Sequence, residues 1–151
     1  MIPYVLPESD LENPLPAVSL LRTVQNYLRR FRLLTVNVFA IAPAYVKVTV
    51  AASVKIKPRA KAERVVEEVR AALKKFLHPI TGGPQGRGWP FGYDVIASEV
   101  YQVIQNVEGV DYAEQLALKT ADKTVGAACG NLTIPENAVV YSGLHEIAAV
   151  L

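Results

Sequence analysis

The thirteen residues Tyr45-Val46-Lys47-Val48-Thr49-Val50-Ala51-Ala52-Ser53-Val54-Lys55-Ile56-Lys57 carry the reading on which the fold turns. Every even position from Val46 to Ile56 is apolar, while Lys47, Thr49, Ser53, Lys55 and Lys57 stand at odd ones. A period of 2 means a β-strand with one buried and one wet face. At about 3.3 Å per residue the run spans roughly 40 Å, longer than most strands, which predicts a bend near Ala51. Pro58 ends it, since proline has no amide to give to a ladder.

On either side the period changes to 3.6. Downstream, Ala62 to Leu77 places Val65, Val66, Val69, Leu73, Phe76 and Leu77 on one helical face, with Glu63, Glu67 and Glu68 early and Lys74 and Lys75 late, as the helix dipole prefers. Pro79 stops this helix. Upstream, Leu34 to Ile41 reads as a strand turning at Ala42-Pro43-Ala44. Before it, Ala17 to Arg32 reads as an amphipathic helix with Leu20, Leu21, Val24, Leu28 and Phe31 on its apolar face and Pro16 in its first turn. Beyond a loop, Val95, Ile96, Val100, Val103, Ile104 and Val107 mark a third helix, with Asp94 as its cap and Gly109 as its terminator.

Val110 to Leu118 is strand-like, residues 119 to 131 read as loop, and Ala138 to Val150 gives one or two closing strands around Gly143. The resulting order is α-β-β-α-α-β-β, in which neighbouring strands pair most easily antiparallel. That predicts an α+β fold, a mainly antiparallel sheet with helices packed on it. Residues 1 to 16, with Pro3, Pro7, Pro14 and Pro16, read as an extended arm of a kind that often lies on a neighbour. The expected organisation is therefore an arm over 1–16, a core over 17–118, and a C-terminal loop with closing strands packed on the core over 119–151.

The chain has 151 residues, 51% of them hydrophobic and 20% charged, enough to bury a core without metal or disulfide staples. Cys129 is the only cysteine, which excludes an intrachain disulfide and reads as a buried free thiol. Met1-Ile2-Pro3-Tyr4-Val5-Leu6-Pro7-Glu8 has neither the basic region nor the apolar run of a signal peptide. No stretch reaches the roughly 18 uninterrupted apolar residues of a membrane helix. No membrane partner is expected, and a soluble protein assembled in the cytoplasm is. The net charge of +2 hides a split. Residues 22 to 87 hold 14 Lys+Arg against 3 acids, residues 88 to 151 hold 2 against 8, and Glu8, Asp10 and Glu12 precede both. Such asymmetry suits a nucleic-acid face, mutual attraction between subunits, or simply solvated element faces.

Dedicated chemistry is hard to find. His78, His145 and Cys129 do not have zinc-ligand spacing, and His78, at a helix end before Pro79, reads as a cap whose positive charge would suit the dipole. No Ser or Cys sits in a nucleophile elbow, and Glu63, Glu67 and Glu68 lie opposite the apolar stripe of their helix. Asn131-Leu132-Thr133 matches a glycosylation triplet, to which the absence of a secretory signal gives no weight. No catalysis, cofactor or metal is expected.

One loop stands out: Thr81-Gly82-Gly83-Pro84-Gln85-Gly86-Arg87-Gly88-Trp89-Pro90-Phe91-Gly92, with five glycines and the sole tryptophan. It follows a helix and lacks a Gly-Lys-Ser/Thr ending, so it is no P-loop, and its glycine spacing fails the dinucleotide fingerprint. The structural reading uses Gly82, Gly83, Gly86, Gly88 and Gly92 for unusual backbone angles while Trp89, Pro90 and Phe91 turn back, with Trp89 and Phe91 mostly buried. The other reading takes Gly83-Pro84-Gln85-Gly86 as the GXXG of a KH-like nucleic-acid-binding domain, with Arg29, Arg30, Arg32 and Arg87 as the interacting cations. Against it, Pro84 removes an amide donor and the flanking helices stand too far apart.

Taken in order, several segments resemble the C-terminal part of baseplate J-like proteins, wedge components of contractile phage tails and related contractile injection systems. They are Val18-Ser19-Leu20-Leu21, Tyr27-Leu28-Arg29-Arg30, Val36-Asn37-Val38, Tyr45-Val46-Lys47-Val48-Thr49-Val50, Phe76-Leu77-His78-Pro79, Gly82-Gly83, Gly88-Trp89-Pro90-Phe91-Gly92, Ser98-Glu99-Val100-Tyr101 and Val107-Glu108-Gly109-Val110-Asp111-Tyr112. The series covers roughly residues 14 to 118. The tail Val139-Val140-Tyr141-Ser142-Gly143-Leu144-His145-Glu146-Ile147 looks like the family's closing strands. The resemblance implies a structural, non-enzymatic role in a ring of wedges, with a wedge paralogue, the sheath initiator and the hub as partners and no nucleic acid. Members of the family usually carry a further N-terminal region. The sequence is thus expected to correspond to a fragment, a partial gene or a shortened paralogue.

Overall fold

The computed structural model describes residues 4–7, 13–121, 124–126 and 130–151. It is α+β, with helices packed on one sheet, in the order α1 (Val18–Arg29), β1 (Ala44–Ile56), α2 (Ala62–Phe76), α3 (Ala97–Gln105), β2 (Val110–Lys119), β3 (Thr124–Gly126), β4 (Ala138–Ser142) and β5 (Glu146–Val150). β1 lies at the centre. One of its edges pairs antiparallel with β2, which pairs onward with β3. The other edge pairs parallel with β4 over Ala44 to Val48 and then with β5 over Ala51 to Lys55. The alternation that defines β1 is realised in burial: Val48, Val50, Ala52, Val54 and Ile56 are all buried. Against them pack Val65, Val69 and Leu73 of α2, Val100 and Ile104 of α3, and Ile134 and Ile147 from the C-terminal part.

Near Ala51, where a bend is expected, the pairing of β1 with β2 is irregular. The core-facing apolar residues of β2, Val110, Ala113, Leu116 and Leu118, do not keep a period of 2, so a regular ladder would turn half of them outward. Two register shifts correct the parity. Between Ser53↔Glu114 and Ala51↔Ala117 the second strand carries one extra residue, and between Ile56↔Val110 and Lys55↔Tyr112 it carries another. Gln115 takes a positive φ of 51° at the first of these. An extra residue locally bends and twists the ladder at these two points.

Several expectations change on contact with the tertiary structure. Residues 34–41 form no ladder: Ile41 alone bridges to Tyr4, and the amide of Val5 donates to the Ile41 carbonyl at 3.0 Å. Val38 and Ala40 are buried in alternation, as a strand would have them, but both edges of β1 are taken, so this segment has no place beside it. The sheet is mixed, not mainly antiparallel, because β4 and β5 return to β1 only after a long crossover, which permits parallel pairing. Residues 124–126, expected in a loop, pair with β2. The described parts of the Pro-rich arm lie on their own chain: Tyr4 stacks on Phe91, Pro14 and Pro16 are buried, and the Tyr45 hydroxyl donates to the Pro14 carbonyl. Burial of that hydroxyl pushes the Tyr45 pKa up to about 12.

Helix ends differ too. Ala17 is the N-cap of α1, which leaves Pro16 one residue outside the helix. The Asp94 carboxylate accepts from the Ile134 amide at 2.9 Å, and the first-turn amide of Ala97 is instead met by the Asn131 side chain at 3.3 Å. A double amide exchange between Val95 and Leu132 sews the same two segments together. Gly109, expected as the terminator of α3, lies three residues beyond its C-cap Asn106 and takes a φ of 93° in the separate turn that leads into β2. The reading of Cys129 as a buried thiol, and the charges Glu8, Asp10 and Glu12, lie outside the described residues.

At the point where β1 exchanges β4 for β5, one of its amides would be left unpaired. Gly143 donates to the Val48 carbonyl at 2.8 Å, and the Val50 amide then donates to Nδ1 of His145 at 3.0 Å. A side chain at Gly143 would strike Thr49 Oγ1 at 2.5 Å, so glycine is needed for the approach. His145 is buried, and its Nε2 lies 2.8 Å from Ser142 Oγ. Because Nδ1 accepts, the ring is neutral with its proton on Nε2, facing the serine. Burial first, and the charge of Arg70 second, lower the His145 pKa from 6.5 to about 4. A base whose folded pKa lies below its unfolded value contributes stability that is complete above pH 6.5 and is lost as pH falls towards 4. Wild type should therefore lose up to about 3 kcal/mol over that window relative to His145→Asn, whose Oδ1 takes the place of Nδ1 as acceptor for Val50 and does not titrate. Urea denaturation of both proteins across the window checks this; a pH-independent difference between them refutes it.

Candidate assembly interface

The glycine-rich connection between α2 and α3 is built from the end of α2 outward. Leu77 caps the helix through the Leu73 carbonyl, and the chain then folds back so that Gly83 donates to Phe76 O at 2.7 Å and Gly82 to His78 O at 2.9 Å. His78 Nδ1 accepts from the amides of Ile80 and Thr81, both at 3.2 Å, so it organises the turn as an acceptor. Gly88 donates to Gly82 O and Trp89 to Pro79 O, each at 2.9 Å. A Cβ on Gly82 would lie 2.2 Å from Phe76 O, whereas one on Gly86 would meet nothing within 4 Å and violate only its φ of 67°.

Trp89 is 3% exposed. Its indole N–H donates to the Tyr93 carbonyl at 2.9 Å, and its ring stands edge-on to Phe76 and Tyr93, with centroids 5.4 and 5.8 Å away. Phe91 is not buried with it: at 37% exposure it forms an outer step on which Tyr4 stacks at 5.1 Å. Pro90, between them in sequence, is exposed. Gly92, at φ 69°, approaches the backbone of Glu136 and donates to Ala138 O, which joins the loop to the start of β4.

These hydrogen bonds bear on the KH-like reading. Phosphates are cradled by free amides, and here the amides of Gly82, Gly83, Gly86 and Gly88 already donate within the loop or to the end of α2. Of the four arginines, Arg87 is exposed in this loop. Arg29 and Arg30 close α1, and Arg32 beyond it donates to Asn37 Oδ1 at 3.2 Å. They stand on an element that contributes no residue to the core against which the loop packs.

The remaining surface offers little catalytic chemistry. Among the described residues no three metal-binding side chains come together. The Ser142–His145 pair, which no spacing in the sequence marks, has the wrong polarity for nucleophile activation: the ring gives its proton toward the serine, and Ser142 Oγ donates on to Gly143 O at 3.1 Å. An open cleft of about 590 Å³ at the start of α2 gathers Lys57, Arg59, Lys61 and Arg64, with Arg64 held by Glu68 at 2.7 Å. No helix among the described residues is long and apolar enough to cross a membrane.

What the surface does carry is exposed apolar area, and it is concentrated. Of fourteen large hydrophobic residues exposed among the described ones, nine lie between Leu15 and Ile41. They include Val18, Leu20 and Tyr27 on α1 and Phe31, Leu33 and Leu34 just after it. α1 has no fully buried residue: Leu21, Val24 and Leu28 are half-buried, while Leu20 and Tyr27 are exposed.

The loop geometry ranks three substitutions. Trp89→Ala removes a buried, hydrogen-bonded ring and should destabilise by about 3 kcal/mol or more. Gly82→Ala should cost a similar amount, about 3 kcal/mol, because backbone must move. Gly86→Ala should cost only about 1 kcal/mol, the strain of its backbone angle alone. Denaturant midpoints of the three variants check the order.

No family model matches the sequence, and no curated protein matches it. Solved structures do. Among them is a chain of the anti-feeding prophage (AFP) baseplate, determined by cryo-electron microscopy with 6-fold symmetrisation, at a TM-score of 0.63 and 15% identity. The likeness covers 86% of the present chain and 26% of that one, so this sequence spans about a quarter of its structural neighbour and shares its fold over nearly its whole length.

Proposed function

We propose that the chain is a structural, non-enzymatic subunit of the baseplate of a contractile phage tail or tail-like particle, of the J-like wedge type, acting through contacts with other baseplate and tail proteins. The observation that carries this reading is the fold shared with a chain of the AFP baseplate over 86% of the present sequence. Supporting it, the ordered segments that resemble J-like proteins coincide with pieces that define the fold: the central strand, the turn after α2, the Trp89 loop and the Gly109 turn before β2. A surface with exposed apolar residues gathered at one end of the sequence suits an assembly subunit better than an enzyme. Wedge paralogue, sheath initiator and hub are the partners this reading names, with assembly in the cytoplasm and residence in the particle.

Tagged at its native length and recovered from its own host, the protein should bring down sheath, tube and wedge proteins, identified by mass spectrometry, with no nuclease-sensitive absorbance. Recovery of bound RNA without tail proteins would overturn the reading and restore the nucleic-acid alternative.

A further inference from the structure

β4 and β5 serve the same edge of β1 and are held there very unequally. In β4, Ala138, Val139 and Val140 are fully buried, and Gly92 donates to the Ala138 carbonyl at 3.0 Å. β5 buries Ile147 alone; Val150 is exposed, and the side-chain ties of this end lie on the surface, Glu146 to Lys119 and the Leu151 carbonyl to Lys55 Nζ, each at 2.6 Å. Exposed ion pairs add little stability. What fixes the strand is its ladder with Ala51 to Lys55 and, at its beginning, the bond from the Val50 amide to Nδ1 of His145. That bond depends on charge, because a neutral imidazole accepts through one nitrogen whereas an imidazolium donates through both. A proton on Nδ1 would set two donors against each other where Val50 is fully buried.

The surroundings oppose the charge as well. His145 shares an open cleft of about 550 Å³ with Glu67, Arg70 and Lys74 of α2, and Lys47 of β1 lies beside Gly143. Among the described residues the acids at this corner are Glu67 and Glu146, and each already holds a cation, Arg70 at 2.9 Å and Lys119 at 2.6 Å. Ser142 Oγ can stay with Nε2 in either state, so the conflict falls on Val50. We propose that His145 is an acid-released latch: protonation of its ring frees β5, with Gly143 and Leu144 as the hinge, and bares the edge of β1 from Val50 to Lys55 while β4 and the helices stay in place. The latch stands apart from the baseplate reading, and it confines the first effect of acid to one strand.

Released, the ring titrates near its ordinary 6.5, against about 4 when latched, so the opening constant of β5 should rise about a hundredfold between pH 7 and pH 4. Amide hydrogen exchange of the full chain reads this opening, as protection relative to the intrinsic rate at each pH. The Val50 amide and the β5 amides that pair with β1 should lose protection about a hundredfold over that range, while the amides of β4, α2 and α3 keep theirs. In His145→Asn, whose Oδ1 accepts without titrating, the same amides should change less than about threefold. Ile147→Ala, which removes the one buried anchor of β5, should lower their protection at least about tenfold at pH 7 and leave β4 as it was. Protection that falls in β4 and β5 together, that does not fall with acid, or that falls equally in His145→Asn overturns the proposal. Should the Asn variant fail to fold, the wild-type ring decides by its NMR titration: the midpoint should lie well below the ordinary 6.5, and a midpoint at 6.5 overturns the latch.

Discussion

A strand in the middle of a sheet must have its backbone groups met on both edges, because an unpaired buried amide costs about as much as a lost hydrogen bond. β1 is that strand here, and its requirement organises the rest. β2 satisfies one edge, but only by carrying two extra residues that return Val110, Ala113, Leu116 and Leu118 to the core face. The other edge needs two partners in succession. Where β4 stops and β5 has not begun, the imidazole of His145 takes the amide of Val50 in place of a strand. Gly143 makes that corner possible by letting the chain come within hydrogen-bonding distance of Val48.

The helical layer depends on the same strand less directly. α2 lays Val65, Val69 and Leu73 on the buried face of β1, and the turn after it is then committed to bring the chain back toward α3. The glycines at 82, 83 and 88 allow this return because carbonyls of α2 and of the following turn lie where side chains would otherwise be. Trp89 fills the space so enclosed, and Asn131 and Leu132 tie the start of α3 to the C-terminal segment. The glycine-rich loop is thus spent on closing the core, which leaves few free amides for a ligand.

The stretch from Leu15 to Ile41 is packed least: Pro16, Val38 and Ala40 are buried, but nine of its large hydrophobic residues are exposed. Its charged residues are all arginines, Arg22, Arg29, Arg30 and Arg32. The core is completed without a fully buried residue from α1, which leaves much of that helix exposed. The baseplate reading draws on the shared fold.

Local patterns determined a good deal. The period of 2 over Tyr45 to Lys57 located the central strand, the period of 3.6 located all three helices, and glycine spacing located the loop that closes the core, because each depends on residues close together in the chain. Tertiary structure decided what depends on which edges and faces are free. Leu34 to Ile41 has strand-like alternation but no edge to join, the closing strands run parallel because of where the crossover delivers them, and Asp94 holds Ile134 because Asn131 has taken its place at α3. The corner at residues 143–145 shows the limit most sharply. Leu144 is 88% exposed beside a His145 that is 8% exposed, the reverse of what hydropathy would assign. The histidine is inside because one amide of β1 lacked a partner, a demand set by residues about a hundred positions earlier and visible only once the strands are in register.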